Sequence, residues 1–243
     1  MGLIDKFKNK KNVYVQTNFG LGDLIMFSPI VRIICKNNEN VILFYENHLS
    51  NLEYLYRDIK NISFIKVSHP TEAVKYIIDR SLFDDFFNLW SNQGVSTWKL
   101  YPDKTFDVGC YMFAGVDFAE RVNSFYLKRD YELEETHYRN MLCHESKYIF
   151  VHDDKSRGYK IDDTKIDNPN NHKLIYNRND IPIFNLIKIL ENAEAIHVMQ
   201  SSIKDLINSF DFKKPTLHLH TYVRRYDYYK YDTKGRNPFE WVL

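Results

Sequence analysis

Apolar runs of strand length alternate with helix-period segments along residues 12–80, and this alternation constrains the fold more than any other feature of the chain. "NVYVQT" (Asn12–Thr17), "VILFYE" (Val41–Glu46) and "SFIKV" (Ser63–Val67) read as strands. "VRIICK", "LSNLEYLYRDI" and "PTEAVKYIIDR" read as the helices that follow them. Pro70 stands where a first helical turn tolerates it, and Glu72 in the same turn suits the helix dipole. Near-continuous apolar strands separated by helices predict a parallel sheet covered on both faces, a doubly wound α/β unit.

From Phe106 to Leu142 the pattern turns helical and charged, as a bridge or as the closing helices of the first unit. A second α/β series then begins at "KYIFVHDD" (Lys147–Asp154) and continues with the strand "HKLIYN" and the helix "IPIFNLIKILENA". The strand "AEAIHVMQ", the helix "SSIKDLINSF" and the strand "PTLHLHT" complete it, and the polar stretch "DDTKIDNPNNH" reads as a surface loop. The simplest organisation is two small α/β units meeting near residue 145, without internal repeats.

Composition narrows the partners. The chain has 243 residues, 44% hydrophobic and 27% charged, with a formal net charge of +1. No global field advertises nucleic acid or an anionic membrane. Cys35, Cys110 and Cys143 lack the spacing of a disulfide framework or a zinc knuckle, so reduced structural thiols are expected. "MGLIDKFKNKK" has no apolar core of a signal peptide and reads as a frayed, weakly amphipathic terminus. No apolar run reaches the roughly 20 residues that span a bilayer, and a cytoplasmic location is expected.

In a parallel sheet, ligands bind beyond the carboxyl ends of the strands. "NFGLGD" places two of only 8 glycines, Gly20 and Gly22, between a strand and a helix, with Asp23 next. Two readings stand: a plain turn, or a place where a phosphate lies against backbone N–H groups at a helix N-terminus. The full G-x-G-x-x-G fingerprint is absent, because Ile25 occupies its third position. Asp23 is either a helix-capping acid or a base that takes a proton from a hydroxyl nucleophile. Either Ser28 caps a helix that begins at Pro29, leaving Gly20–Phe27 as a long binding loop, or the helix starts at Asp23 and kinks at Pro29; the helical spacing of Leu24, Phe27, Val31 and Ile34 favours the kinked early helix.

"YIFVHDDKSRGYKI" ends a strand in the acids Asp153 and Asp154, then supplies Lys155 and Arg157, either a solvated loop or a diphosphate site. His152 is a strand-end hydrogen-bonding group or a second candidate base. Gln200, Ser201 and Ser202 join a strand to a helix, where they cap that helix or hold phosphate and ribose oxygens. His218 and His220 alternate onto one face, but no third ligand at suitable spacing accompanies them, so no metal site is expected. Arg224 and Arg225, among tyrosines, read as a solvated or domain-contacting face.

Taken together, "NFGLGDLIMFSPIVR", "GVDFAERVNSFYLKRDYELEE", "YIFVHDDKSRGYKI" and "IHVMQSSIKDLINSFDFKKPTLHLHTYVRR" resemble glycosyltransferases of GT-B architecture. The first is similar to the N-terminal motif of heptosyltransferase-like, family 9-type enzymes; the others look like small glycosyltransferases of bacteria and large viruses. The resemblance spans most of the chain, with gaps between Asn47 and Thr105, and departs where Gln200 replaces the usual acid. It implies two Rossmann-like domains facing a cleft, an acceptor-side domain 1–144 and a nucleotide-sugar domain 145–243. It further implies Asp23 as general base for the acceptor hydroxyl. His152 joins it as a second catalytic candidate. Gly20, Gly22, Asp153, Lys155, Arg157, Gln200, Ser201 and Ser202 would lie on the donor, whose diphosphate the cations neutralise without a metal. By this resemblance the partners are a nucleotide-sugar and a glycan or other hydroxyl acceptor, in the host cytoplasm if the source is viral. No cofactor is implied. A catalytically silent binding module of the same fold is the alternative. A nicotinamide oxidoreductase is disfavoured by the incomplete glycine fingerprint. The terminal "NPFEWVL" is expected to pack across the domain junction through Trp241.

Overall fold

The structure, a computed structural model, describes residues 2–17, 20–46, 49–89, 91–92, 95–142, 146–221 and 239–242. The chain divides into two compact units, Met1–Lys128 and Arg129–Leu243.

The first unit is built on four parallel strands, β1 (Asn12–Gln16), β2 (Asn40–Tyr45), β3 (Ile62–Lys66) and β4 (Phe86–Asn88). Their order is β3-β2-β1-β4, so the chain moves outward from β1 to one side and returns to place β4 on the other. Helices α1 (Leu21–Lys36), α2 (Leu49–Tyr56) and α3 (Pro70–Asp79) connect the first three strands and lead on from them. Alternation along β1 divides its side chains between two faces. Tyr14 joins Phe44, Phe86, Ala73 and Ile77 in the cluster under α3, leaving Val13 and Val15, both fully buried, for the opposite face. A short hairpin, β5 (Ser91–Asn92) with β6 (Val95–Ser96), and the helices α4 (Phe106–Ala114) and α5 (Glu120–Asn123) complete the unit. The N-terminus is not frayed: Ile4 and Phe7 are buried, and the Phe7 ring packs edge-on against Phe87 at 5.4 Å.

α1 runs unbroken through Pro29. Proline brings no N–H for the carbonyl four residues back, that of Ile25. Ser28 Oγ donates to that same carbonyl at 2.9 Å, so the buried oxygen keeps a partner. Tyr111 Oη donates to the next carbonyl, Met26 O, at 2.8 Å.

The second unit begins at Arg129. Its first helix, α6 (Tyr131–Leu142), belongs here because its charges are satisfied here. Glu134, fully buried, accepts from Arg129 Nε at 3.0 Å and from the Lys188 backbone N–H at 3.1 Å; Arg129 also reaches Glu191. The Tyr138 ring packs against Tyr148 in the sheet. The sheet itself contains β7 (Tyr148–His152), β8 (Lys173–Tyr176), β9 (Ala195–Met199), β10 (Thr216–His220) and β11 (Glu240–Val242). All pair in parallel in the order β8-β7-β9-β10-β11, with α7 (Ile187–Asn192) before β9 and α8 (Ser202–Ser209) after it. Residues 240–242 of the C-terminal segment thus extend this sheet alongside β10.

The β7–β8 crossover holds no α-helix. Two 3-10 turns, Lys155–Arg157 and Asp163–Lys165, replace it. Apolar anchors make this more than a surface loop: Ile161 and Ile166 pack with Ile149, Val151, Ala195 and Met199 in one buried cluster.

Candidate functional site

In an open parallel sheet the crevice forms where neighbouring strands send their connections to opposite sides. The second unit has that point between β7 and β9: from β7 the chain goes to β8 on one side, from β9 to β10 on the other. His152 ends β7, with Asp153 and Asp154 next, and Gln200 and Ser201 follow β9, so the structure assembles on one sheet edge groups that stand 43 to 49 residues apart in the sequence.

Each side chain there has a definite task. Asp153, buried, accepts from the Ile161 N–H at 2.8 Å, while its own N–H donates to Asn177 Oδ1 at 3.0 Å. It therefore ties the crossover to the sheet. Asp154 opens the turn that Gly158 ends in a left-handed conformation, φ 76°. Arg157 Nε donates to Asp154 Oδ2 at 2.5 Å, and Arg157 Nη2 donates to the Gln200 carbonyl at 2.8 Å. One guanidinium so spans the switch point. Lys155 is exposed on the same turn.

Ser201 occupies the N-cap position of α8, yet its hydroxyl makes no capping bond. Its Oγ lies 3.5 Å from His152 Nδ1 and 3.4 Å from the Met199 carbonyl. Ser202 is the first residue of α8. Burial strips water from His152 and pushes its pKa down to about 4, against the opposing pull of Asp154. The imidazole is therefore neutral at physiological pH, able to hydrogen-bond but weak as a base.

Gly20, Gly22 and Asp23 belong to the first unit. Gly20 is the N-cap of α1 with φ −70°, a conformation open to any residue, so a left-handed turn is not the reason for glycine here. A Cβ added at position 20 would lie 3.0 Å from Asp23 Oδ2, the end of a side chain that folds back over the cap from the third helical residue and that would have to give by a few tenths of an ångström. An acid in that place is favoured by the helix dipole whatever else it does.

The histidines of β10 meet a third that the sequence did not single out. His197, across the strand pair from His218, stacks on it at 4.2 Å with an interplanar angle of 12°, and its Nδ1 is 2.9 Å from His220 Nε2. Parallel stacked rings aim their in-plane lone pairs side by side instead of at one centre, which does not suit shared ligation. Among the described residues no group of three or more His, Cys, Asp or Glu side chains is arranged to hold a metal ion. Arg224 and Arg225 lie outside the described residues. No helix among the described residues is long and apolar enough to cross a membrane.

No protein-family model and no curated protein matches this chain. Among solved structures, it is similar to the glycosyl transferase family 9 protein from Veillonella parvula DSM 2008, with a TM-score of 0.52. That match has 9% sequence identity and covers 86% of this chain and 80% of that one. It is also similar to the bacterial iron-containing dodecameric glycosyltransferase TibC from enterotoxigenic E. coli H10407, with a TM-score of 0.47 and 13% identity over 90% of this chain and 59% of that one. At such identities what is shared is the fold: α/β, with two parallel sheets, of GT-B-like architecture.

Proposed function

We propose that this protein is a glycosyltransferase that moves a sugar from a nucleotide-sugar to a hydroxyl acceptor, in cytoplasmic glycan or surface-polysaccharide synthesis, without a metal. The observation that carries this reading is the convergence of His152, Asp154, Arg157, Gln200 and Ser201 on the β7/β9 switch point, in a fold shared with a family 9 glycosyltransferase. In this reading the acceptor oxygen bonds to the anomeric carbon as the bond to the diphosphate breaks. Asp23 takes the hydroxyl proton. Lys155 and Arg157 neutralise the charge that gathers on the departing nucleotide, which is the task a metal performs elsewhere. The N–H groups at the start of α8, with Ser201 and Ser202, and the backbone at Gly20 and Gly22, offer hydrogen bonds to donor oxygens. Gln200 and Asp153 shape the donor side, and His152, neutral, donates or accepts a hydrogen bond there.

Incubation with UDP-, GDP-, ADP- and CMP-sugars in the presence of candidate glycan acceptors tests this directly. Free nucleotide should be released together with glycosylated acceptor. Asp23→Asn should abolish turnover while donor binding persists; undiminished activity would remove Asp23 from the mechanism. Binding of a nucleotide-sugar without any release would favour the other reading, a silent binding module. Gln200 motivates that alternative, standing where the resembling sequences carry an acid.

A further inference from the structure

We infer that Asp154 is a positioning residue for the donor site: it fixes the plane of the Arg157 guanidinium so that one edge faces a bound phosphate. This rests on the proposed donor site and adds a residue to it. Asp154 is a buried carboxylate two residues past the end of a fully buried strand, and such a charge is tolerated only when paired. Its partner comes from three residues along, on a turn whose shape is set by local backbone bonds. The Arg157 and Tyr159 N–H groups both donate to the Asp154 carbonyl, at 3.1 and 3.0 Å, and Gly158 supplies the left-handed residue that closes the turn.

The contact is made by one side of the guanidinium only. Nε and Nη2 both address Asp154 Oδ2, and Nη2 also donates to the Gln200 carbonyl. These bonds come from the segments that follow two neighbouring strands, Asp154 after β7 and the Gln200 carbonyl after β9, so they hold the plane at both ends. Nη1 donates to no group among the described residues, and the side chain remains 39% exposed. An arginine serving only to satisfy a buried acid would have no need of a second anchor on β9. Held this way, it presents two N–H donors in a fixed direction, and the rotamer entropy that a free arginine loses on gripping a phosphate is already spent. Because Asp154 offsets part of its charge, Arg157 adds direction to the neutralisation it shares with Lys155, which is exposed on the same turn.

Calorimetric binding of UDP, GDP and ADP, each beside its parent nucleoside, tests the assignment in the 243-residue chain. Asp154→Asn and Arg157→Lys should each weaken the diphosphate about tenfold, the size of one well-made charge-assisted contact. Nucleoside affinity should not change, and Asp154→Glu should recover part of the loss. Arg157→Lys keeps the charge and discards the fork, so it separates direction from charge even if Asp154→Asn lowers the melting temperature. Unaltered diphosphate affinity in both variants overturns the positioning role, leaving Asp154 and Arg157 as a structural pair. Failure of the wild-type protein to bind any of the diphosphates overturns the donor site itself, and the inference with it.

Discussion

Gly2 and Gly115 meet backbone to backbone, and the contact leaves no room for a side chain on either. Gly115 ends α4 at φ 72°, and a Cβ built on Gly2 would stand 2.6 Å from the Gly115 Cα. Gly158 has nearly the same backbone, φ 76°, but a Cβ there meets nothing within 4 Å. The two positions separate the conformational penalty from the steric one. Gly158→Ala should cost roughly 1–2 kcal/mol, the price of a left-handed non-glycine residue. Gly115→Ala should cost more than that, because Gly2 must also move. Urea denaturation of both variants checks the order, and equal losses would mean that the Gly2–Gly115 approach adds nothing.

Among the elements, α1 shows how a helix absorbs a proline. The Ser28 hydroxyl stands in for the missing N–H at the Ile25 carbonyl, so Ser28→Ala strands a buried acceptor and should cost about 1–3 kcal/mol. Pro29→Ala restores the N–H. In that background the same Ser28→Ala change should be markedly cheaper, and a double-mutant cycle that shows simple additivity would refute the substitution of one donor for the other. The early, proline-containing helix was legible because Leu24, Phe27, Val31 and Ile34 keep their spacing across Pro29. Strands with four or more consecutive apolar or alternating residues were legible for the same reason. β4 and β11 were not: each has three residues and owes its existence to a long parallel neighbour, β1 or β10. The allegiance of α6 was equally hidden, since Glu134 and Glu135 find their partner Lys188 far along the chain. At the site, strand ends could be named in advance, but the reach of Arg157 to Gln200 could not. It depends on β9 rather than β8 lying on that side of β7, which only the sheet order determines. His197 went unremarked because one histidine in an apolar strand carries no signal until its neighbours across the sheet are known.

For the molecule as a whole, acid should act first on the second unit. Burial pushes His152 and His220 down to about 4 and His197 to about 3, and lowers His218 as well. All four lie after Arg129. Each is held neutral in the fold but titrates near 6.5 when unfolded, so below that pH the unfolded chain binds more protons. Stability from these groups is complete above pH 6.5 and drains away as the pH falls toward 4. Carboxylates whose pKa is lowered, such as Asp58 and Glu135, lose their contribution only further down. Hydrogen exchange between pH 7 and 4.5, corrected for intrinsic rates, should show protection falling in peptides of residues 146–221 before those of residues 12–89. Equal decline in both units would contradict the assignment to the buried histidines.

The crossover that carries Lys155 and Arg157 also carries Ile161 and Ile166, sealed against the sheet beneath. A segment pinned in this way cannot swing aside without wetting its own isoleucines. Occupancy of the neighbouring strand ends should therefore leave it in place, and the Ile161 amide, donating to buried Asp153, should exchange about as slowly as those of β7 and β9 with or without a nucleotide present.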